Sequence, residues 1–325
     1  MKKRSLLTIV AASLLAVAGL GSSQALADPP QNEYRALSGV GSDTTQDVLN
    51  GLAEAVTVNG QKVIGSYDAI GSSTIQTKSN AACAGITRPN GSGAGRTALI
   101  NSLVANNGCV DFARSSSETL TAAPVQLTYV PFATDAVTFA VTGNSGIPRN
   151  LTLDELRSVY KCEVEGINPY IPQAGSGTRS FWLGQMQITE AQIAQGLYPC
   201  LRDRKNGQPI QEHNGTYFGP DDIVPFSVAQ YISQSTAVIP DIRGSLLLGT
   251  INGASPVTLN GNFTVTRPVF NVIPTSRENT APWSTVFVGS NSLVCQQAAT
   301  IVRYGFATRA DCGSTTRRTA TSSPR

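Results

Sequence analysis

Apolar and small polar positions follow one recurring order along the chain. A short apolar run leads into a loop of Gly, Ser and Thr, and apolar residues at helical spacing follow, as Val48, Leu52 and Val56 do in the first copy. Copies of this order lie at 39–56, 91–104 and 175–186. A hydroxyl cluster at 114–117 follows a similar apolar run. Strands that alternate with helices in this way predict an α/β fold with mainly parallel sheets, whose ligands bind where strands end and helices begin.

The chain is expected to pass between lobes at two places. The first lies at two β-type runs, 126–131 and 136–142, and the second at a turn-rich segment, 249–261. After the second crossing the β pattern resumes at 267–273. About 285 ordered residues are close to the upper limit for a single hydrophobic core, and this length is sufficient for two cores. We therefore predict two lobes, flanked by helices and joined by a hinge: 34–132 plus 264–312, and 133–263.

Shorter segments predict further elements. Capping boxes at 152–155 and 189–192 predict two helix starts. The apolar pattern predicts a helix, a buried strand and an amphipathic segment at 226–233, 238–242 and 292–306. The polar segment 202–222 reads as a loop, and the tail 313–325 lacks apolar periodicity and is predicted to be disordered.

The N-terminus predicts export. Basic residues at 2–4, an apolar run at 6–20 and a small-residue cleavage site at 25–27 are the three parts of a secretory signal peptide. The apolar run is short for a membrane span, and no second run follows. The expected mature protein starts at Asp28, outside the cytoplasm, with no membrane span and, since no cysteine stands at the cleavage point, no lipid anchor.

Charge argues against one class of partner. The whole chain has 24 Lys and Arg against 21 Asp and Glu. The predicted signal peptide carries three of the basic residues and none of the acidic ones, which leaves 21 against 21. The mature chain therefore lacks the basic excess of a nucleic-acid-binding protein.

Six cysteines in an exported chain predict three disulfides. Sequence alone leaves many pairings open, and pairing of sequence neighbours is expected because each pair brackets a compact loop–helix stretch. The expected pairs are Cys83–Cys109, Cys162–Cys200 and Cys295–Cys312. Zinc-type spacing of Cys and His is absent and the chain has one histidine, so no metal is expected.

The loop at 175–182, Gly-Ser-Gly-Thr-Arg-Ser-Phe-Trp, carries the main chemical signal. Backbone N–H groups, hydroxyls and the positive end of a helix dipole would surround one point there, which suits an anion. For one such loop a plain turn with an N-cap is the simpler interpretation. Several such loops facing one cleft favour a site for an anion or another polar ligand.

Enzyme motifs are missing. His213 has no Gly-x-Ser-x-Gly around it, and 91–96 lacks the Lys-Ser/Thr of a nucleotide phosphate loop. A solvated loop position is expected for His213, and core or rim packing for Trp182 and Trp283. We expect a binding protein without catalytic residues or cofactor; a secreted hydrolase on the same scaffold is the remote alternative.

Four motifs follow one another over about residues 36–310: GVGSDTT at 39–45, NGSGAG at 90–95, DFARSS at 111–116 and GSGT at 175–178. In order and spacing they resemble the phosphate-binding periplasmic-type solute receptors of ABC transporters, including a group of actinobacterial exported relatives. The resemblance implies a two-lobe periplasmic binding protein fold of type II. It also implies a monomer that closes on a small oxyanion, with phosphate first, and delivers it to an ABC permease.

The resemblance further implies the ligand contacts. Carried over position by position, with the flanking hydroxyls of the first and third loops, they are Ser42, Asp43, Thr44, Thr45, Ser92, Ser115, Ser116, Ser176, Gly177 and Thr178. Two positions depart from the family pattern: its arginine before the GSGT loop is Pro172, and its proton-accepting aspartate is Ser116. Arg114 and Arg179 are the expected replacement cations.

These departures keep a second interpretation open, because they remove the bidentate donor of the resembled receptors and the acceptor that distinguishes phosphate from sulfate. The chain would then be an exported protein of the same fold that binds another polar ligand without a transport role.

Overall fold

The computed structural model describes residues 28–30, 32–256 and 262–321. The predicted signal peptide and its cleavage site lie outside these residues. The strands are β1 (Leu37–Gly41), β2 (Thr57–Val58), β3 (Gln61–Lys62), β4 (Ile64–Ser66), β5 (Thr74–Ile75), β6 (Ile86–Thr87), β7 (Phe112–Ser115), β8 (Leu127–Thr142), β9 (Asn150–Leu151), β10 (Asn168–Pro169), β11 (Arg204–Lys205), β12 (Gln208–Pro209), β13 (Asp222–Ser227), β14 (Leu246–Leu248), β15 (Thr250–Ile251) and β16 (Thr266–Pro274).

The helices are α1 (Gln46–Ala55), α2 (Ser92–Val104), α3 (Leu153–Tyr160), α4 (Gly177–Met186), α5 (Glu190–Ala194), α6 (Val228–Ser235), α7 (Trp283–Phe287) and α8 (Ala298–Arg303), with short 3-10 turns at Ala81–Cys83 and Thr275–Arg277. In the described part of the chain, no helix has the length and apolar character needed to cross a bilayer.

One sheet of eight strands runs through the molecule in the order β10-β13-β8-β16-β7-β1-β4, with β14 also paired to β8. β1 pairs in parallel with β4 and β7, and β10 with β13, whereas β8 and β16 make antiparallel pairs. The α/β class is confirmed. The sheet is mixed rather than mainly parallel, because the two long strands that join its halves run in opposite directions.

The two predicted β runs at 126–131 and 136–142 form one strand, β8, of 16 residues. Its register with β16 shifts at one point: Pro131 faces Phe270 and Ala133 faces Val269, which leaves Phe132 without a partner. Such a bulge bends a strand, and Pro131 has no N–H to lose from the ladder. The bulge coincides with the predicted crossing near 132, and the lobe boundaries themselves stay a prediction.

Buried apolar clusters lie on both sides of this bulge. On one side, α1 packs Val48 and Leu52 with Phe112 of β7 and Phe306. On the other side, Trp182 of α4 belongs to a cluster of apolar residues that lie between Ala136 and Val265 in the sequence. The Trp182 side chain is 0% exposed. Trp182 is thus a core residue, as expected.

The three disulfides join Cys83 to Cys109, Cys162 to Cys200 and Cys295 to Cys312, so the predicted neighbour pairing is confirmed. None of these bridges spans the predicted boundary between the lobes. Three disulfides and no free cysteine in the described residues are typical of proteins that work outside the cytoplasm.

Both predicted capping boxes are confirmed at the starts of α3 and α5. One other prediction is wrong. Residues 238–242 form no strand, and the nearby strand is β14. The amphipathic segment at 292–306 contains the helix α8, and turns occupy the residues before it.

The tail also differs from its prediction. Up to residue 321 it lies along the edge of β8: Thr319 donates its N–H to the Leu127 carbonyl at 2.9 Å, and Thr319 is 1% exposed. Arg318 forms an ion pair with Glu278. Strand-like pairing uses backbone groups, so a segment without apolar periodicity can be ordered by it. Residues 322–325 lie outside the described residues.

Candidate functional site

The first, second and fourth of the four loops each begin a helix, namely α1, α2 and α4. Gly41 ends β1 with φ at +122°, and a side chain there would meet the Arg114 carbonyl and the Gly95 backbone. This close approach explains the glycine. The chain then turns through residues 42–45 into α1, all four of them buried.

The second and fourth loops touch each other directly. Gly93, in the first turn of α2, donates its N–H to the Gly175 carbonyl at 3.0 Å. Ser176 caps α4 by accepting the Arg179 N–H at 3.0 Å. A Cβ on Gly177 would lie 2.2 Å from Ser116 Oγ and 2.4 Å from Ser92 Oγ. The two halves are therefore closed on each other.

The centre of the site is a carboxylate of the chain itself, that of Glu212. It accepts short hydrogen bonds from the hydroxyls of Thr44 and Ser176. Thr178 donates to it twice, from its hydroxyl at 3.0 Å and from its backbone N–H at 3.4 Å. We call these donor groups of Thr44, Ser176 and Thr178 the cradle. Three residues carried over as anion contacts thus surround one buried oxyanion.

The charge of Glu212 is stabilised where it lies. Burial alone would raise the pKa of this carboxyl. Arg267, the hydrogen bonds from Ser176 and Thr44 and the charge of His213 outweigh burial and lower the pKa below its ordinary value. The buried group is therefore ionised, as an anion held by several donors should be.

Arg267 is the cation nearest the cradle. Its Nη2 donates to Thr178 Oγ1 at 2.9 Å and to Asp135 Oδ2 at 2.8 Å, and its Nε also donates to Asp135. Both side chains are almost fully buried. The Nη1 of Arg267 has no hydrogen-bond partner in the structure. The Nη1 amino group of this guanidinium is thus buried without an acceptor among the described residues.

The serine hydroxyls of the other loops form a second group beside the cradle. Ser42 Oγ donates to Ser116 Oγ at 3.1 Å, and the Ser116 backbone N–H donates to Ser92 Oγ at 3.0 Å. Ser115 is separate, because its hydroxyl donates to the Ser117 carbonyl. The Thr45 hydroxyl is buried without a partner. Of the hydroxyls predicted to bind a ligand, Thr44, Ser176 and Thr178 alone contact Glu212.

His213 lies on the far side of Asp43 and is buried, so its predicted solvated position is wrong. Its Nε2 is 3.4 Å from Asp43 Oδ1, and neither oxygen of Asp43 has a hydrogen bond. Burial lowers the pKa of His213, but Asp43, then Glu212 and Asp47, outweigh it and raise that pKa above its ordinary value. The raised pKa favours the charged form of the ring, which balances the charge of the Asp43 carboxylate.

The two arginines predicted as replacement cations lie elsewhere. Arg114 donates to the carbonyls of Ser42 and Gly39 and to Ser66 Oγ inside its own half. Arg179 forms ion pairs with Glu190 at 2.7 Å and Asp203 at 2.9 Å, so it points away from the cradle. The structure brings neither guanidinium to Glu212.

Asp43, Glu212 and His213 also offer metal-ligand atoms within 4.8 Å of one another. Metal binding needs a neutral imidazole and free carboxylate lone pairs. The raised pKa of His213 favours the charged ring, and both Glu212 oxygens already accept hydroxyl hydrogen bonds. The trio therefore fits an ion-pair network better than a metal centre.

The cleft and the mixed sheet agree with comparisons to known proteins. A family model described as the PBP superfamily domain, for periplasmic binding proteins, matches residues 26–223. The chain belongs to this superfamily. A search of curated proteins gives no significant match.

Two solved structures illustrate the likeness of the fold. One, from Clostridium perfringens, is described as a phosphate ABC transporter substrate-binding protein with bound phosphate; identity is 16%, coverage 84% of this chain and 99% of that chain, and the TM-score 0.54. The other is an ABC-type phosphate transport receptor from Vibrio cholerae, with 16% identity, coverage of 84% and 100%, and a TM-score of 0.48. The first of these two matches, with a TM-score above 0.5, shows that the protein has the type II periplasmic binding protein fold.

Sequence reasoning missed Glu212 and Arg267. Arg267 belongs to a strand whose alternation was recognised, and Glu212 to a polar segment that reads as loop. One signal was present: Glu212-His213 is the only Glu-His pair in a segment otherwise free of apolar pattern. It does not indicate which cleft the pair would enter.

Proposed function

We propose that this protein is an extracytoplasmic solute-binding protein that closes on a small oxyanion, with phosphate the first candidate. The supporting observation is the cradle around Glu212. Three hydroxyls and one N–H group, with Arg267 beside them, already hold one buried oxyanion in the closed cleft. A phosphate oxygen presents the same kind of acceptor to such donors.

For phosphate to use the cradle, Glu212 has to leave it, since two anions in one buried site repel each other strongly. Glu212, Ser176 and Thr178 all belong to the segment predicted as the second lobe, whereas Thr44 belongs to the first. Opening of the cleft would remove the Thr44 contact and weaken the hold on Glu212. An incoming oxyanion would then replace the carboxylate before the cleft closes again.

Export supports the same function. The predicted signal peptide would be cleaved near Ala27, leaving Asp28 as the first residue. Asp28 is tied to the body of the protein by Arg88, which donates to its two oxygens at 2.8 and 2.7 Å. In an uptake system the partner would be an ABC permease.

A second candidate is an exported protein of this fold that binds another polar ligand and serves no transport. The observation that favours it is again Glu212, which leaves the inner position filled by the chain itself. Pro172 and Ser116, where the resembled receptors have their arginine and aspartate, support the same alternative.

Calorimetry on the mature chain, residues 28–325, separates these candidates. Phosphate, sulfate and glucose are titrated at one pH and one ionic strength. Saturable heat with phosphate supports the first candidate, and heat with neither oxyanion contradicts it.

The cation is tested in the same assay with three variants. Arg267→Lys keeps the charge that Asp135 needs but loses the forked geometry, and it should weaken oxyanion binding about tenfold. Arg114→Met and Arg179→Met serve as controls and test the expectation from sequence. If either weakens binding while Arg267→Lys does not, Arg267 is not the ligand's cation.

A further inference from the structure

A cavity of about 400 Å³ adjoins the cradle at the junction of the two halves. Ser116 and Glu118 line it from one side, and Ser180 and Gly184 of α4 line it from the other. Its volume lies in the range of sites for small organic ligands, and it is several times the volume of an inorganic oxyanion. No part of the function proposed above uses this space.

Three arginines line the cavity: Arg267, Arg309 and Arg317. Each has one acidic partner, namely Asp135, Asp311 and Glu118. Of these acids only Glu118 lines the cavity, so the lining carries three positive charges and one negative charge. This excess of positive charge in the lining favours an anionic ligand.

Two aromatic rings lie among these cations. The Arg267 guanidinium is 5.6 Å from the centroid of Phe181, and that of Arg317 is 5.9 Å from the centroid of Phe270. Both residues belong to the lining, but Phe270 is 0% exposed, so Phe181 is the ring that a ligand can contact. Paired aromatic and guanidinium groups suit a ligand that is planar as well as anionic, because the planar part can stack while the charge meets an arginine.

We propose that this cavity binds an organic anion with a planar, preferably aromatic, body and one carboxylate or phosphate group. Glu212 fills the cradle, so the anionic group of the ligand stays outside it and meets Arg309 and Arg317. The planar body packs against Phe181, the half-buried ring of the lining. The inference rests on the proposed solute-binding function and names the ligand class of its second candidate.

Calorimetry on the mature chain tests this with phenyl phosphate, benzoate and inorganic phosphate as probes. We expect one or both aromatic anions to bind, and the pair of them shows whether a phosphate or a carboxylate is preferred. In Arg317→Met the affinity for the bound probe should fall about tenfold, because a charge-assisted contact is lost. Arg243→Met is the matched control: like Arg317, Arg243 pairs with one carboxylate, that of Asp241, and lies over an aromatic ring, but it is not part of this cavity lining.

A second variant tests the space itself. A Cβ on Gly184 would meet no atom within 4 Å, and the residue lines the cavity from within α4. Gly184→Phe should fill the cavity, abolish binding of the aromatic probe and leave the thermal midpoint unchanged or higher. Gly146→Phe is its control, since Gly146 also has open space around its Cβ position.

The outcomes distinguish failure of the cavity proposal from failure of the proposed solute-binding function. Binding of inorganic phosphate without either aromatic anion overturns the cavity proposal and leaves the small-oxyanion function standing. Binding of an aromatic anion that survives both Arg317→Met and Gly184→Phe also overturns it. Aromatic binding lost in both variants, with no response to inorganic phosphate, supports the cavity and rejects the first candidate function.

Discussion

At the scale of single residues, the cleft is governed by how a buried carboxylate is kept charged. Moving a carboxylate out of water is costly, and the cost is offset only by donors and a nearby cation. Glu212 has both, in the cradle and in Arg267. An internal group held this well competes with any external anion for the same donors.

Removing that competitor gives the first prediction. In Glu212→Ala the cradle donors lose their acceptor, and phosphate affinity should rise about tenfold or more over the parent. The unfolding free energy should fall by about 1.5–3 kcal/mol, the value of a lost charge-assisted bond. Calorimetry and urea unfolding measure the two effects. Gln211→Ala, on the same segment, is the control and should leave phosphate affinity nearly as it is. Equal phosphate affinity in Glu212→Ala and the parent would show that Glu212 does not occupy the anion position.

The pair of His213 and Asp43 gives a prediction about pH. A histidine whose folded pKa is raised binds its proton more tightly when folded. Its contribution is therefore complete below the unfolded pKa of about 6.5 and is lost as pH rises through the folded pKa. Each unit by which the pKa is raised contributes about 1.4 kcal/mol. Asp47, whose pKa burial raises to about 6, changes stability in the same sense at lower pH.

Because the chain has one histidine, its imidazole signal in NMR spectra is unambiguous. We expect a titration midpoint above 6.5 and a falling unfolding free energy over the same pH range. Asp43→Asn removes the largest charge that raises the pKa of His213, so its midpoint should be lower. A midpoint in the parent at or below that of Asp43→Asn would contradict the pairing.

Prediction from sequence was least successful for the single residues of the site. Thr44, Ser176 and Thr178 could be selected because small hydroxyl residues at helix starts are recognisable locally. Arg267 could not, since alternation in a strand predicts a face and not which buried charge it meets. The contact between Thr44 and Glu212 joins residues 168 positions apart, and only the packed fold shows it.

At the scale of secondary structure elements, local signals were reliable where they were chemically specific. The capping boxes located α3 and α5 because the two reciprocal hydrogen bonds need four adjacent residues and nothing else. The tail and residues 238–242 failed for the opposite reason. Whether a short polar or apolar stretch becomes a strand depends on a free sheet edge, and the edge of β8 was not visible in the sequence.

The ordered tail gives the third prediction. A chain that ends at residue 313 lacks the hydrogen bonds between Thr319 and Leu127 and the ion pair from Arg318 to Glu278. Its thermal midpoint should be lower than that of the full mature chain, since buried backbone groups of β8 lose their partners. A chain that ends at residue 321 is the control and should unfold as the full chain does. Identical midpoints for all three chains would mean that the tail contributes nothing to stability.

At the scale of the whole molecule, the closed cleft depends on glycine. Gly177 starts α4 at the point where that helix meets the loops of Ser92 and Ser116, and no side chain fits there. The sheet runs unbroken through β8 and β16, so we expect any opening of the predicted lobes to bend these strands at the bulge around Phe132. The motifs predicted that the loops would converge. They could not predict that the loops would touch with the chain's own carboxylate between them.

The last prediction tests closure directly. Gly177→Val places methyl groups where Ser116 Oγ and Ser92 Oγ now lie, so the two halves can no longer meet. Solution scattering of the mature chain should give a larger radius of gyration for this variant than for the parent. Gly184→Val is the matched control: it lies on the same helix, its Cβ position has open space, and the radius should stay that of the parent. Separation of the halves also breaks the contact between Thr44 and Glu212. It moves Asp43 away from His213 as well, so the pKa of His213, measured by NMR, should move toward its ordinary value. An unchanged radius together with an unchanged histidine titration would mean that the halves stay in contact despite the added side chain, and that Gly177 is not what permits closure.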